Sequence, residues 1–351
     1  MPYRAASPAA AYERTIVADL FAAYLAEHHG DLEEYLDSFF REKTDRDDLE
    51  SYLYAPLRAF SSNGGKRHRP LICLLAARAV GGSAEQARSA AAAIEHFQSA
   101  ALIHDDIADN GKLRRGKPCL HVTETVGPAI NCGDYALTLV TSAVLDDATL
   151  DDARKLRILS ELVAMMQRTV EGQALDLGWA RDRRFDITVN DYLAMATLKT
   201  AHYSGAVPLV CGAIAGGGSE EQIEALRSFG LDCGLAFQIQ DDLLNLVGDA
   251  HDKDHLSDIT EGKRTLVAVH ALENPTVHDE VERLLGAHTS DPAQLARTLE
   301  LFEQTGSLAF AHNYACTLVT RAKNTLAHVE LDATCRKLLL AMADFFVERL
   351  S

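Results

Sequence analysis

Apolar residues recur at positions i, i+3, i+4 and i+7 through most of this chain, and the alternation of a half-buried strand is nearly absent. That period permits helices and little else. Leu156, Leu159, Leu162, Val163 and Met166 make one stripe; Leu338, Leu339, Met342, Phe345, Phe346 and Leu350 make another. The stretch from Ala90 to Ile103 is apolar around most of its circumference, broken only by Glu95, His96, Gln98 and Ser99. Such a helix belongs in the middle of a bundle, with a few polar groups turned to a site. The chain's 351 residues suffice for a core without disulfides or structural metals. The expectation is an all-α, single-domain bundle over residues 15–351, preceded by a loose tail over 1–14. Residues 251–263 are polar and read as a surface loop.

The formal charge of -17 argues against a nucleic-acid partner, which needs a basic footprint. Seven cysteines without a CxxC pair read as free thiols in a reducing compartment. No signal pattern and no run of 18 apolar residues is present, so no transmembrane segment and a cytoplasmic location are expected.

Two aspartate clusters stand out. Asp105, Asp106 and Asp109 close the apolar Ala90–Ile103 stretch. On a helix, positions 105 and 109 lie about 40° apart and 106 about 100° away, so three carboxylates leave one helix end together. Asp241, Asp242 and Asn245 repeat that spacing after the apolar run Leu235–Gln240. Crowded carboxylates need cations, and hard oxygen ligands suit Mg²⁺. One such cluster could simply be a helix end entering solvent; a matched pair facing each other would form a metal-binding mouth. Basic groups flank both: Arg114, Arg115 and Lys117 after the first, Lys253 and Lys263 after the second, and Lys66, Arg67 and Arg69 upstream. Arg forks and Lys point charges beside metal-binding carboxylates suggest diphosphate recognition.

In order, the chain carries GGKRHRP (64–70), DDIAD (105–109), RRGKP (114–118), Gly172-Gln173 with Asp176, Lys199-Thr200, Phe237-Gln238 before the second cluster, and Glu261-Gly262-Lys263. This ordered set resembles the trans-isoprenyl diphosphate synthases, the polyprenyl synthetase family. The resemblance implies a helical bundle around a deep central cavity, usually in a homodimer. It implies a reaction joining an allylic diphosphate to isopentenyl diphosphate with about three Mg²⁺ ions. By position, Asp105, Asp106, Asp109, Asp241 and Asp242, with Asn245, would hold the metal. Lys66, Arg69, Gln98 and Arg115 would hold isopentenyl diphosphate. Arg114, Lys199, Lys253 and Lys263 would hold the allylic diphosphate. Thr200 and Gln238 would line the site of the developing carbocation. Two departures stand: Asn245 replaces the usual third aspartate, and Lys253-Asp254 stands where the family has Gly-Lys.

The resemblance also places a product tunnel along the helix before Asp105. Ala101 and Ala100 lie four and five residues upstream, where family members that stop at fifteen carbons usually carry a bulky aromatic; Phe97 lies one turn further. Geranylgeranyl diphosphate (C20) is the expected product, with C25 next. A class I terpene cyclase shares the fold and the first motif. It needs no isopentenyl site, so Lys66, Arg69 and Arg115 would have no function there.

Overall fold

A computed structural model describes residues 8–39, 45–248 and 255–348. The principal helices are α1 (Pro8–Ser38), α2 (His68–Ala79), α3 (Arg88–Ala108), α4 (Val126–Leu145), α5 (Asp152–Arg181), α6 (Val189–Ala196), α7 (Val207–Ala215), α8 (Glu220–Val247), α9 (Ser307–Leu326) and α10 (Ala333–Glu348). The first begins at Pro8, so residues 8–14, expected to be loose, are helical.

Helix α3 runs through the middle. Ala90 to Ala93 and Ile94 are fully buried and Phe97 nearly so. The alanine run lets neighbouring helices approach closely, which a row of larger side chains would prevent. Helix α8 has a comparable core, from Phe229 through Ile239. Its start is fixed by reciprocal bonds between Ser219 and Gln222. The other expected stripes divide. Leu338, Leu339, Met342 and Phe346 of α10 are buried, and Leu350 lies outside the described residues. On α5, Leu162 is buried but Leu156 and Val163 face outward.

Among the departures from ideal helices, two bear on the site. Residues Thr197–Ala206 form π-helical turns between α6 and α7. Widened turns of this kind are frequent at functional sites. Leu113–Arg114 and Lys117–Pro118 form a small antiparallel hairpin, pairing Leu113 with Pro118 and Arg114 with Lys117. Its two loop residues, Arg115 and Gly116, both have positive φ (52° and 75°), as a tight two-residue hairpin demands.

Arg67 joins four parts of the fold. It has φ 47° and is 3% exposed. It pairs with Glu33 of α1 and Glu95 of α3, and donates to the Ser61 carbonyl. Removing one partner of such a buried pair leaves an uncompensated charge. Glu95→Ala should therefore cost about 3 kcal/mol in urea unfolding. Glu220→Ala, which breaks the exposed Arg157–Glu220 pair, should cost less than about 1 kcal/mol. Equal effects would refute the role of Arg67 as a buried clamp.

Candidate active site

Both clusters sit at helix C-termini, α3 ending at Ala108 and α8 at Val247. The macrodipole is negative there, so carboxylates at these positions are repelled by the helix as well as by each other. They open onto one cavity of about 920 Å³. Asp105, Asp106 and Asp109 line one side and Asp241, Asp242 and Asn245 another, with Arg69, Gln98, Arg114, Lys199, Thr200, Gln238 and Lys263 between them. Sequence positions more than a hundred residues apart thus converge as the matched pair requires.

The cationic side chains are each held by a neighbour. Arg114 leaves the hairpin and donates Nε to Asp106 Oδ1 at 2.9 Å. Arg115, at the hairpin tip, turns the other way and donates to the Gly64 carbonyl. Gly65 there has φ 125°, and a Cβ on it would meet the Arg115 guanidinium at 2.9 Å. Arg69 donates to Ser204 Oγ at 2.8 Å and Tyr203 Oη at 2.9 Å, and lies over the Tyr203 ring. Lys199 pairs with Asp176 of α5. The two segments cross so closely that a Cβ on Gly172 would lie 2.3 Å from the Lys199 backbone nitrogen, so only glycine fits. Burial opposes the charge on Lys199, yet Asp176 and Asp105 raise its pKa. Lys263 behaves alike: burial works against it, and Asp258 and Glu261 hold it well above its ordinary value.

Both oxygens of Asp242 are engaged. Tyr192 Oη donates to Oδ2 at 2.7 Å and Gln238 Nε2 to Oδ1 at 2.7 Å. Thr200 Oγ1 in turn donates to Gln238 Oε1 at 2.6 Å. Burial pushes Asp242 up, and the neighbouring Asp258 and Asp241 carboxylates push it further. Asp105 is raised by burial against the pull of Lys199 and Arg114. Gln173 donates to Asp105 Oδ1 at 3.0 Å.

These residues fit divalent cations. Asp106 Oδ2 and Gln98 Oε1 are buried without a hydrogen-bond partner. Among the described residues no three His, Cys, Asp or Glu side chains close on one ion by themselves. A hard ion that keeps several waters and shares phosphate oxygens, as Mg²⁺ does, matches such an open donor set.

The polyprenyl synthetase family profile matches residues 50–302. The chain belongs to the polyprenyl synthetase family. It is 40% identical to a short chain isoprenyl diphosphate synthase of Methanothermobacter thermautotrophicus over 289 residues, 82% of this chain and 87% of that one. It is 38% identical to a geranylfarnesyl diphosphate synthase of Natronomonas pharaonis, covering 85% and 90%. The geranylgeranyl pyrophosphate synthetase of Pyrococcus horikoshii superposes with a TM-score of 0.85 at 30% identity, over 94% of this chain and 99% of that one. The protein is an isoprenyl diphosphate synthase, that is, a prenyltransferase.

Several expected positions of the synthase fall differently. Lys66 and Arg115 are exposed and do not line the cavity. Ala101 lines it, but Ala100 does not. One residue is about 100° of helix rotation, which turns Ala100 away into a cluster with Ala129, Cys132 and Ala136 of α4. Asn245 uses its side chain on Ser257 and Asp258. Lys253 lies outside the described residues. Of the expected 251–263 surface loop, residues 251–254 lie outside the described residues; in the rest, Ser257–Thr260 is a short helix and Asp258 is buried against the cavity. Tyr192, Tyr203 and Asp258 were missed by the sequence reading. Tyr192 lies seven residues before Lys199, a two-turn spacing that could have pointed to it.

At the raised carboxylates of the site, the folded, metal-free synthase holds protons that the unfolded chain releases. Their stabilising contribution is complete below the ordinary carboxylate range and fades as pH rises through the raised values. Asp242→Asn removes one such group. Its stability relative to wild type, measured by urea unfolding in chelator, should increase between about pH 5 and about pH 8. A pH-independent difference would mean that Asp242 is not held in its protonated form by the fold.

Proposed function

We propose that this prenyltransferase condenses allylic diphosphates with isopentenyl diphosphate to give geranylgeranyl diphosphate. The observation that carries the reading is the convergence of two carboxylate clusters and several cationic side chains on one cavity. About three Mg²⁺ ions, as the family resemblance implies, would neutralise the leaving diphosphate. Arg114, Lys199 and Lys263 hold the allylic diphosphate, each already steered by a carboxylate partner. Arg69 and Gln98, which line the cavity, receive isopentenyl diphosphate. Thr200 and Gln238 lie beside the carbon that becomes cationic. The Thr200 hydroxyl hydrogen and one Gln238 amide hydrogen are both committed to acceptors, leaving oxygen dipoles to face positive charge. The apolar walls exclude water that would quench it.

Chain length follows from the residues below Asp105. Ala101, Leu102 and Phe97 line the cavity, and the Phe97 ring meets Tyr203 edge-on at 5.7 Å. Small Ala101 admits the growing chain, and Phe97 is placed to stop it one turn on. The relatives named geranylgeranyl and geranylfarnesyl diphosphate synthases correspond to this length and to one isoprene unit more, which supports the reading. Purified enzyme with Mg²⁺, labelled isopentenyl diphosphate and each shorter allylic primer should yield mainly the C20 product, and none without isopentenyl diphosphate. Ala101→Phe should shorten the product by at least one isoprene unit. An unchanged product distribution would discard the tunnel assignment.

The enzyme works as a homodimer through α5. Leu156, Val163, Val170 and Leu177, seven residues apart, are 68%, 46%, 66% and 42% exposed. Val126 and Ile130 of α4 are exposed as well. Large outward apolar side chains in register mark an interface. Sedimentation should give a dimer for wild type and a monomer for the Leu156→Glu, Val163→Glu double variant. A dimer unaffected by both charges would place the interface elsewhere.

A further inference from the structure

The second cluster of the synthase ends in an amide where the first ends in a carboxylate. Read from sequence, that wall is one negative charge short. The fold supplies it from elsewhere. Asn245 Nδ2 donates to Ser257 Oγ at 2.9 Å, and Asn245 Oδ1 accepts the Asp258 N–H at 3.1 Å. The Asn245 carbonyl accepts the Leu256 N–H at 2.8 Å. Three bonds from one residue thus fasten the turn at 256–258 to the end of α8. Leu256 itself is held at φ 62°, a conformation a leucine adopts only under constraint.

This turn delivers Asp258. Its residue is 9% exposed and lines the same cavity as Asp241 and Asp242. Lys263 Nζ lies 3.4 Å from its Oδ1, and the Lys263 N–H donates to its carbonyl at 2.8 Å. The cavity-facing charges around it are Asp241, Asp242, Glu261 and Lys263.

We infer that Asp258 is the third carboxylate of the second metal wall, and that Asn245 is the residue that positions it. The inference rests on the prenyl synthase reading of the site. Asparagine suits the task because one side chain offers both a donor and an acceptor. It grips Ser257 and the Asp258 backbone without adding charge beside Asp242. With Asp258 counted, each wall presents three carboxylates, and the apparent defect at 245 disappears.

The test is calorimetric titration of Mg²⁺ into the full-length protein with saturating inorganic pyrophosphate. Wild type, Asp258→Asn, Asn245→Ala and Asn245→Asp are compared, with folding checked by near-UV dichroism. Asp258→Asn should lose about ten- to a hundredfold in Mg²⁺ affinity, the usual scale for groups around a metal site. Asn245→Ala should weaken binding in the same direction, and Asn245→Asp should not tighten it. Asp258→Glu, a milder variant should Asp258→Asn unfold, is expected to lose severalfold. Wild-type affinity in the folded Asp258 variant, or a tenfold gain in Asn245→Asp, would overturn the assignment. No metal-dependent pyrophosphate binding by wild type would instead overturn the site reading, and this inference with it.

Discussion

Carboxylates crowded at the C-terminal ends of two helices are the constraint around which this synthase is arranged. Each cluster is unfavourable three times over: by mutual repulsion, by partial burial and by the negative end of its own helix. Nothing about folding rewards such an arrangement. Its relief comes from positive charge in the cavity between α3 and α8, from Arg114, Lys199 and Lys263 and from the metal and substrate the cavity is built to take. Stability given up at a reaction centre is a common exchange for function. Here the exchange can be located atom by atom, in the unpartnered Asp106 Oδ2 and in the raised Asp242.

The cations depend on this in turn. A lysine free to rotate would have no fixed position from which to meet a diphosphate. Lys199 is fixed by its ion pair with Asp176 and by the tight crossing at Gly172. Arg114 and Arg115 are sent in opposite directions by a hairpin whose two loop residues, Arg115 and Gly116, both take positive φ. One points inward to Asp106 and the other back to the Gly64 carbonyl. The adjacent arginines thereby enter two different surroundings, which their sequence adjacency alone does not reveal.

How far the sequence anticipates this varies with the physics involved. Helical periodicity and spacing along one helix are local, so the all-helical fold, the buried α3 and the two aspartate clusters are legible directly. Facing across helices is not local. Ala100 and Ala101 are chemically identical, and only the position of α4 decides that one lines the cavity and the other packs against Cys132. The π-helical turns at Thr197–Ala206 have no compositional mark, yet they set where Lys199 and Thr200 point. Asp258 was hidden for a different reason. Its neighbours are polar, and a polar segment reads as solvated unless something buries it; Asn245 does.

That last point changes how the departures from a motif should be weighed. An aspartate-to-asparagine change in a metal-binding cluster looks like a loss when residues are compared position by position. In three dimensions what matters is the number and placement of oxygens and charges facing the ion, whichever positions supply them. Asn245 gives up a charge and gains a donor, and the donor is used on the segment that brings Asp258 in. The wall is then assembled from α8 and from the turn after it, rather than from one helix. Its geometry depends on a tertiary contact, whereas the first wall is fixed by the pitch of α3. The two walls, equal in charge, therefore differ in rigidity, and the second is the one that local changes in sequence can retune.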